Sequence, residues 1–250
     1  MDRTADTVRL LQTYPRARPP MSAAHRATYV EHYRENRSGQ GVSGMVLRLE
    51  AWMHREVARR PAETILEIGA GNLNHVPYHS SARAYDVVEP FRELWEDSPH
   101  RRRVRAIFRD IAEIPEPAAY DQVVSVAVLE HLTDLPGIMA RAALLLRPGG
   151  VLRAGFPSEG GFLWGLGWRC TTGLAYRLRR GLDYGVIMRH EHVNSAPEIL
   201  QLLHYFFAEV ELARFPLPWH HLSFYTVASA SSPHLDCCRA WSACHSGVAR

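Results

Sequence analysis

Two carboxylates bracket a pair of glycines in the stretch Ile65–Pro90, ILEIGAGNLNHVPYHSSARAYDVVEP. Glu67 stands two residues before Gly69, Gly71 follows at alternate spacing across Ala70, and Glu89, followed by Pro90, closes the next apolar run. The glycines let a backbone turn tightly and approach a ligand closely. The residues after them are expected to start a helix, whose free N–H groups attract an anion. An acid ending the second apolar run can accept two hydrogen bonds from a ribose diol. The pattern fits an adenosine-bearing ligand with an anionic group near the turn.

Two ligand classes share that layout. A nicotinamide dinucleotide asks for GxGxxG, and the third glycine position here is Asn74. It also asks for no acid where two phosphates must lie, and Glu67 stands there. A negative charge suits a ligand carrying an ammonium or sulfonium, which points to S-adenosylmethionine.

Groups able to move a proton are numerous, with 14 histidines in the chain. His131 follows the fourth apolar run, and His190 and His192 lie in MRHEHVN. His220 and His221, ahead of the last run, read as surface residues. The chain has no lysine, which excludes a lysine nucleophile, Schiff base or general base. Cys237, Cys238 and Cys244, followed by His245, lack paired CxxC spacing. No metal is expected there, and residues 231–250 read as a poorly ordered tail with free thiols.

These residues need elements to position them. Residues 1–21, ending in PRARPP, read as an unpacked arm. A polar helix is expected from Ser22 to Arg37, carrying Tyr29, His32, Tyr33 and Arg37, broken by SGQGVSG. Ser43 can cap the next helix, where Met45, Val46, Leu49, Trp52 and Val57 recur at helical spacing and Pro61 stops the run. Strands are then expected in TILEIGA, AYDVVEP, RVRAIFRD, DQVVSVAV and VLRAGFP. They alternate with a turn-rich stretch and with helices in FRELWEDS and HLTDLPGIMARAALLL. That alternation means βαβ units and a parallel sheet. The continuous apolar runs place helices on both of its faces. After Pro157 comes a long insertion of glycines, aromatics and arginines, then an amphipathic helix in APEILQLLHYFF. AEVELARFP and LSFYTVASA follow as an antiparallel pair at the sheet edge.

The 250 residues, 46% of them hydrophobic, suffice for one α/β domain with appendages. A net charge of +3 is too mild to imply nucleic acid. The start, MDRTADTVRL, has no apolar h-region, and no apolar run reaches the ~20 residues of a membrane span. A cytoplasmic protein is the expectation.

Taken together, EIGAGNL, Glu89, FRDI, VVSVAVLEHLTD and LLRPGGVL resemble, in order and each at a strand end, the motifs of class I S-adenosylmethionine-dependent methyltransferases. The resemblance runs from Thr64 to Ala230. It departs at the third alternate glycine, which is Leu73. It implies a Rossmann-like, doubly wound α/β fold with a seven-stranded, mainly parallel sheet and an antiparallel last strand. It implies that Glu67 contacts the cofactor's amino group, Glu89 the ribose and Asp110 the adenine amine. Ile111 would donate its backbone N–H, and the Ala127 carbonyl would receive the methionine ammonium. A Glu-His pair with an earlier Glu and a later His binds metal in some RNA methyltransferases. Glu130, His131 and His192 imitate part of that, but the earlier position is Ala127, so no metal is expected.

Methyl transfer is an in-line displacement for which the protein mainly aligns the nucleophile, contributing roughly 7–11 kcal/mol. A hydroxyl acceptor also needs a base, adding about 10²–10⁴ in rate, and His131 and His192 are the candidates. The insertion at 158–195 is the expected acceptor lid. Its Phe162, Trp164, Trp168 and Tyr176 beside Arg169, Arg177, Arg179 and Arg180 suit an anionic small molecule with an apolar part. The simpler reading is an amphipathic helix packing its aromatics on the sheet. The expected organisation is an arm and lid helix (1–42), a methyltransferase domain (43–230) and the tail. The expected function is methylation of a small molecule, at oxygen. RNA or protein methylation, a non-catalytic cofactor-binding partner and a nicotinamide oxidoreductase are the rivals.

Overall fold

The computed structural model describes residues 3–29, 44–117 and 120–245. Helix α1 (Arg3–Leu11) and a helical segment, α2 (23–29), precede α3 (Gly44–Val57). Then follow β1 (Thr64–Ile68), β2 (Ala84–Val88), α4 (Arg92–Trp95), β3 (Ala106–Phe108), β4 (Tyr120–Val126), α5 (Leu135–Leu144) and β5 (Leu146–Pro157). The C-terminal third holds α6 (Phe162–Trp168), α7 (Leu174–Arg180), α8 (Tyr184–Glu191), α9 (Ala196–Phe206), β6 (Phe207–Pro216), β7 (Ser223–Pro233) and α10 (Leu235–His245). The sheet order is β3-β2-β1-β4-β5-β7-β6. Neighbours among β1 to β5 pair in parallel, and β7 runs antiparallel to both β5 and β6. This is the expected seven-stranded Rossmann-like sheet, with the last strand inserted inside the edge.

The continuous apolar strand runs are buried on both faces because helices cover both. Leu66, Ile68, Val123 and Leu152 face α5, α9 and α10. Ile65, Val87 and Val124 face Met53 and Val57 of α3. Gly155 makes the second contact feasible: a Cβ there would lie 2.4 Å from Met53 Cγ. Buried Arg153 on β5 closes the end of α3, donating from Nε to the Val57 carbonyl at 2.8 Å and from Nη2 to that of Glu56 at 2.6 Å. They lie in the last turn, where helix carbonyls run out of intrahelical donors, and that of Glu56 also accepts the Arg59 N–H at 3.3 Å.

Three expectations give way. The arm is packed: Leu10, Leu11, Tyr14 and Met21 are buried. The tail is not disordered through residue 245, because α10 packs on α5 with Cys238 fully buried and Trp241 against the core. No α-helix follows the glycine turn. Residues 71–75 form turns, and Val76–Tyr78 is a single 3₁₀ turn with Pro77 in it. Leu73, at the third alternate-glycine position, takes φ +66° with its side chain fully buried, a backbone no α-helix uses. The insertion follows its simpler reading and is helical, running through α6, a π-turn at Arg169–Gly173, α7 and α8. His32, Tyr33, Arg37 and Ser43 lie outside the described residues.

The segment after the glycine turn buries a file of imidazoles. His54 Nδ1 meets His75 Nδ1 at 2.9 Å, and His75 Nε2 meets His79 Nε2 at 3.0 Å. Burial depresses all three, His54 and His79 to about 4. Unfolded, they titrate near 6.5, so the unfolded chain binds more protons and stability falls as pH drops from 6.5 through about 4. Glu67 and Glu130 act oppositely. Burial raises them to about 8 and about 7, so they favour the fold as pH falls from those values towards 4.5. Below 4.5 their compensation ends. The expected result is a denaturant midpoint highest near pH 6–6.5, falling on both sides and most steeply between pH 4.5 and 4. A midpoint unchanged down to pH 4 would refute neutral buried imidazoles.

Candidate active site

The glycine turn, the end of β2 and the end of β4 meet at the carboxyl edge of the sheet. Gly69 has φ +71°, and a Cβ on it would lie 2.5 Å and 2.6 Å from the two Val128 methyls. The residue is glycine because the turn after β4 presses directly on it. Gly71 also has positive φ, +51°, but nothing lies within 4 Å of where its Cβ would be. Its missing side chain leaves open space rather than relieving a contact. The buried Glu89 carboxylate faces that turn, accepting the Gly71 N–H at 2.8 Å and the Phe91 N–H at 3.1 Å across Pro90. Ala70 is buried beneath it.

The other cofactor candidates stand at neighbouring strand ends. Asp110, exposed after β3, caps the 3₁₀ turn Ile111–Glu113 by accepting the Ala112 N–H at 2.8 Å, while the Ile111 side chain is buried. Ala127, exposed after β4, takes φ +55° and donates its N–H to the Gly155 carbonyl at 2.8 Å. Glu67 lies beneath the turn, only 2% exposed, and accepts the Tyr85 hydroxyl at 2.8 Å. Burial raises it to about 8, against the Tyr85 hydrogen bond and helped by nearby Glu89. It is thus largely protonated at neutral pH, and a cation placed beside it would favour the carboxylate.

The turn Leu129–His131, just past Val128, carries a second cluster. His131 and His192 meet edge to face at 4.8 Å. His192 Nδ1–H donates to Glu159 at 2.7 Å, and Trp164 stacks over the ring at 6.5 Å between centroids. His131 Nδ1–H donates to the Glu191 carbonyl at 2.9 Å. Burial would depress His192, but its bond to Glu159 and the charges of Glu130, Glu159 and Glu191 raise it above its ordinary value. Glu130 is 2% exposed, and burial pushes it up to about 7. Its Oε2, Trp164 Nε1 and His220 Nε2 are buried without hydrogen-bond partners. Buried polar atoms without partners are rare. Among the described residues, no three His, Cys, Asp or Glu side chains are arranged to hold a metal ion.

The sequence singles out His131, His192, Trp164 and Glu130, which the structure brings together, but not what places them. Asn194 Nδ2 donates to the carbonyls of Leu129 and Leu132, and its Oδ1 accepts the Tyr14 hydroxyl at 2.6 Å. Val193 and Asn194 N–H groups both donate to the Glu130 carbonyl. Arg16 donates to the Val193 carbonyl and to Glu198, and Arg18 donates to the carbonyls of His131 and His190. Tyr29 of α2 donates to Glu191. The supposed loose arm is a strap that ties the two histidine segments together. Glu159 is set by Ser158, whose hydroxyl joins those of Ser223 and Thr226 on β7.

A family model described as a methyltransferase domain matches residues 33–206. No curated protein gives a significant sequence match. Solved structures share the fold at low identity. An O-methyltransferase family protein from Burkholderia thailandensis superposes with a TM-score of 0.54 at 17% identity, over 92% of this chain and 69% of its own. A 1,6-didemethyltoxoflavin-N1-methyltransferase from the same organism, with its substrate and S-adenosylhomocysteine bound, gives 0.52 at 20%, over 86% and 93%. The plantazolicin methyltransferase, bound to a monoazolic desmethyl analogue and S-adenosylhomocysteine, gives 0.59 at 11%, over 92% and 99%. The family match spans well over half of the sequence, and the sheet ends where its motifs require: the chain belongs to the class I S-adenosyl-L-methionine-dependent methyltransferases.

Proposed function

We propose that the protein methylates a small molecule with a flat or apolar part, at oxygen, and that His192 is the general base. The cluster of His192, Glu159, Glu130 and Trp164 one turn beyond Val128 carries the reading, because Val128 also packs on the cofactor-type glycine turn. Gly69, Gly71 and Glu89 fit an adenosine ligand: the Gly71 position faces open space, and a carboxylate sits at its rim. Glu89 would hold the ribose hydroxyls, Asp110 and the Ile111 N–H the adenine, and the Ala127 carbonyl with Glu67 the methionine ammonium. When bound, S-adenosyl-L-methionine supplies an electrophilic methyl group on sulfonium sulfur.

The chain's own residues then do the positioning. Trp164 offers a ring face to a flat acceptor, and its N–H, with the Glu130 carboxyl, offers hydrogen bonds. His192 accepts the hydroxyl proton at Nε2, while Glu159 holds Nδ1–H and stabilises the imidazolium that results. The structural neighbours include an O-methyltransferase family protein and an N1-methyltransferase, so the preference for oxygen rests on this dyad.

Calorimetric titration with S-adenosylhomocysteine, beside Glu89→Ala and with NADH as control, tests the cofactor half. Wild-type binding is expected, weakened at least roughly tenfold in the variant, since a charged hydrogen bond contributes about 1.5–3 kcal/mol. Methyl transfer to a panel of phenols, carboxylates and amines tests the acceptor half. Turnover of amines alone would overturn the oxygen assignment.

A further inference from the structure

The outer face of the acceptor lid is apolar and cationic along its whole length. Residues 162–180 are helical throughout, from α6 across the π-turn into α7. Phe162, Leu166, Cys170, Leu174 and Leu178 recur at every fourth position and all are exposed, Phe162 by 65% and Leu178 by 78%. In an uninterrupted α-helix each fourth residue overshoots a full turn by about 40°, so five such residues would wind around the axis. The π-turn Arg169–Gly173 takes up an extra residue and draws the line back onto one face. The opposite face carries Trp164, Trp168 and Tyr176, which pack on His192, Tyr184 and the interior. The aromatics are thus already used, and the leucines are not.

Charge identifies what covers them. Between Glu159 and Asp183 the sequence has no acidic residue and four arginines, of which Arg169, Arg177 and Arg179 are exposed. Beside α6 the segment 217–222 adds exposed Leu217, Leu222 and Trp219, the last at 62%. Apolar residues with a tryptophan, rimmed by arginines, are the make-up of a helix lying in a membrane interface. A second copy fits poorly, because a two-fold contact sets this arginine row against itself.

We propose that the α6–α7 face seats on an anionic lipid bilayer, with its leucines in the acyl boundary and its arginines on phosphate headgroups. Its inner face roofs His192, so an acceptor arriving at the pocket comes from the membrane side and is amphiphilic. That last step rests on the acceptor site proposed above.

The test is flotation of the full-length protein with vesicles of phosphatidylcholine, and of equal parts phosphatidylcholine and phosphatidylglycerol. Binding is expected to the anionic vesicles only, weakening as salt rises. Arg177→Gln with Arg179→Gln should weaken it roughly 25-fold, at about fivefold per cation. Leu174→Ser with Leu178→Ser should abolish it. Both double variants should bind S-adenosylhomocysteine like wild type, which shows that fold and cofactor site are intact and separates this proposal from that reading. No flotation on anionic vesicles, or flotation indifferent to both variants, would overturn it. So would a wild-type dimer that the leucine variants split into monomers, since a second copy would then be the occupant.

Discussion

Gly69→Ala is expected to destabilise the fold by about 2–5 kcal/mol, whereas Gly71→Ala should cost about 1 kcal/mol and yet lose more cofactor affinity per unit of stability. The two positions look alike in sequence and share a left-handed backbone, φ +71° and +51°. Their surroundings separate them. A methyl on Gly69 lands 2.5 Å and 2.6 Å from the branches of Val128, so the turn after β4 must move. A methyl on Gly71 meets nothing within 4 Å and projects into the space assigned to the cofactor. Chemical denaturation of each variant, with S-adenosylhomocysteine titration beside it, checks the split. Val128→Ala added to Gly69→Ala should recover the steric part and leave the backbone part, which a double-mutant cycle reads directly. Equal stability losses for the two glycines would show that Val128 does not press on Gly69.

The same contrast shows what could be read from the sequence. Buried parallel strands write themselves as continuous apolar runs, so β1, β2, β4 and β5 were legible, as was β7 against them. The strand-end acids were legible because a strand's end fixes where its next residue stands. The strap was not. Its arginines look like the composition of a loose arm, but they donate to carbonyls roughly 110–180 positions away, and local pattern carries no such information. The lid's helices were legible as the simpler reading of its aromatics but not in extent, because glycine disfavours a helix by about 1 kcal/mol at each position. Gly167 is there because Phe224 leaves no room, a Cβ meeting its ring at 2.9 Å. The missing helix after β1 is the converse case. Leu73 buried at positive φ and the His54–His75–His79 file are long-range packing choices that override a motif.

His192→Gln should lower kcat by about 10²–10⁴ with little change in cofactor binding, and should remove the acid limb of the pH profile. His192 works as a base only when neutral. Glu159, with Glu130 and Glu191, holds it above its ordinary 6.5 despite its burial, so wild-type kcat should rise with pH through a midpoint above 6.5. Glu159→Gln removes the partner that both raises and orients the ring. The expected result is a smaller kcat with its midpoint moved to lower pH, a shift that mere loss of packing would not produce. Glu130 is a rival to His192 as base. It is buried, lies beside His192, and is raised to about 7 with an unpartnered Oε2. In its protonated form, which it holds in part at neutral pH, it donates a hydrogen bond, and Glu130→Gln, which also donates, should retain most of kcat and keep the limb. If the limb survives His192→Gln and disappears in Glu130→Gln, the base is Glu130 and the dyad only positions the acceptor. The two substitutions therefore assign the proton between His192 and Glu130.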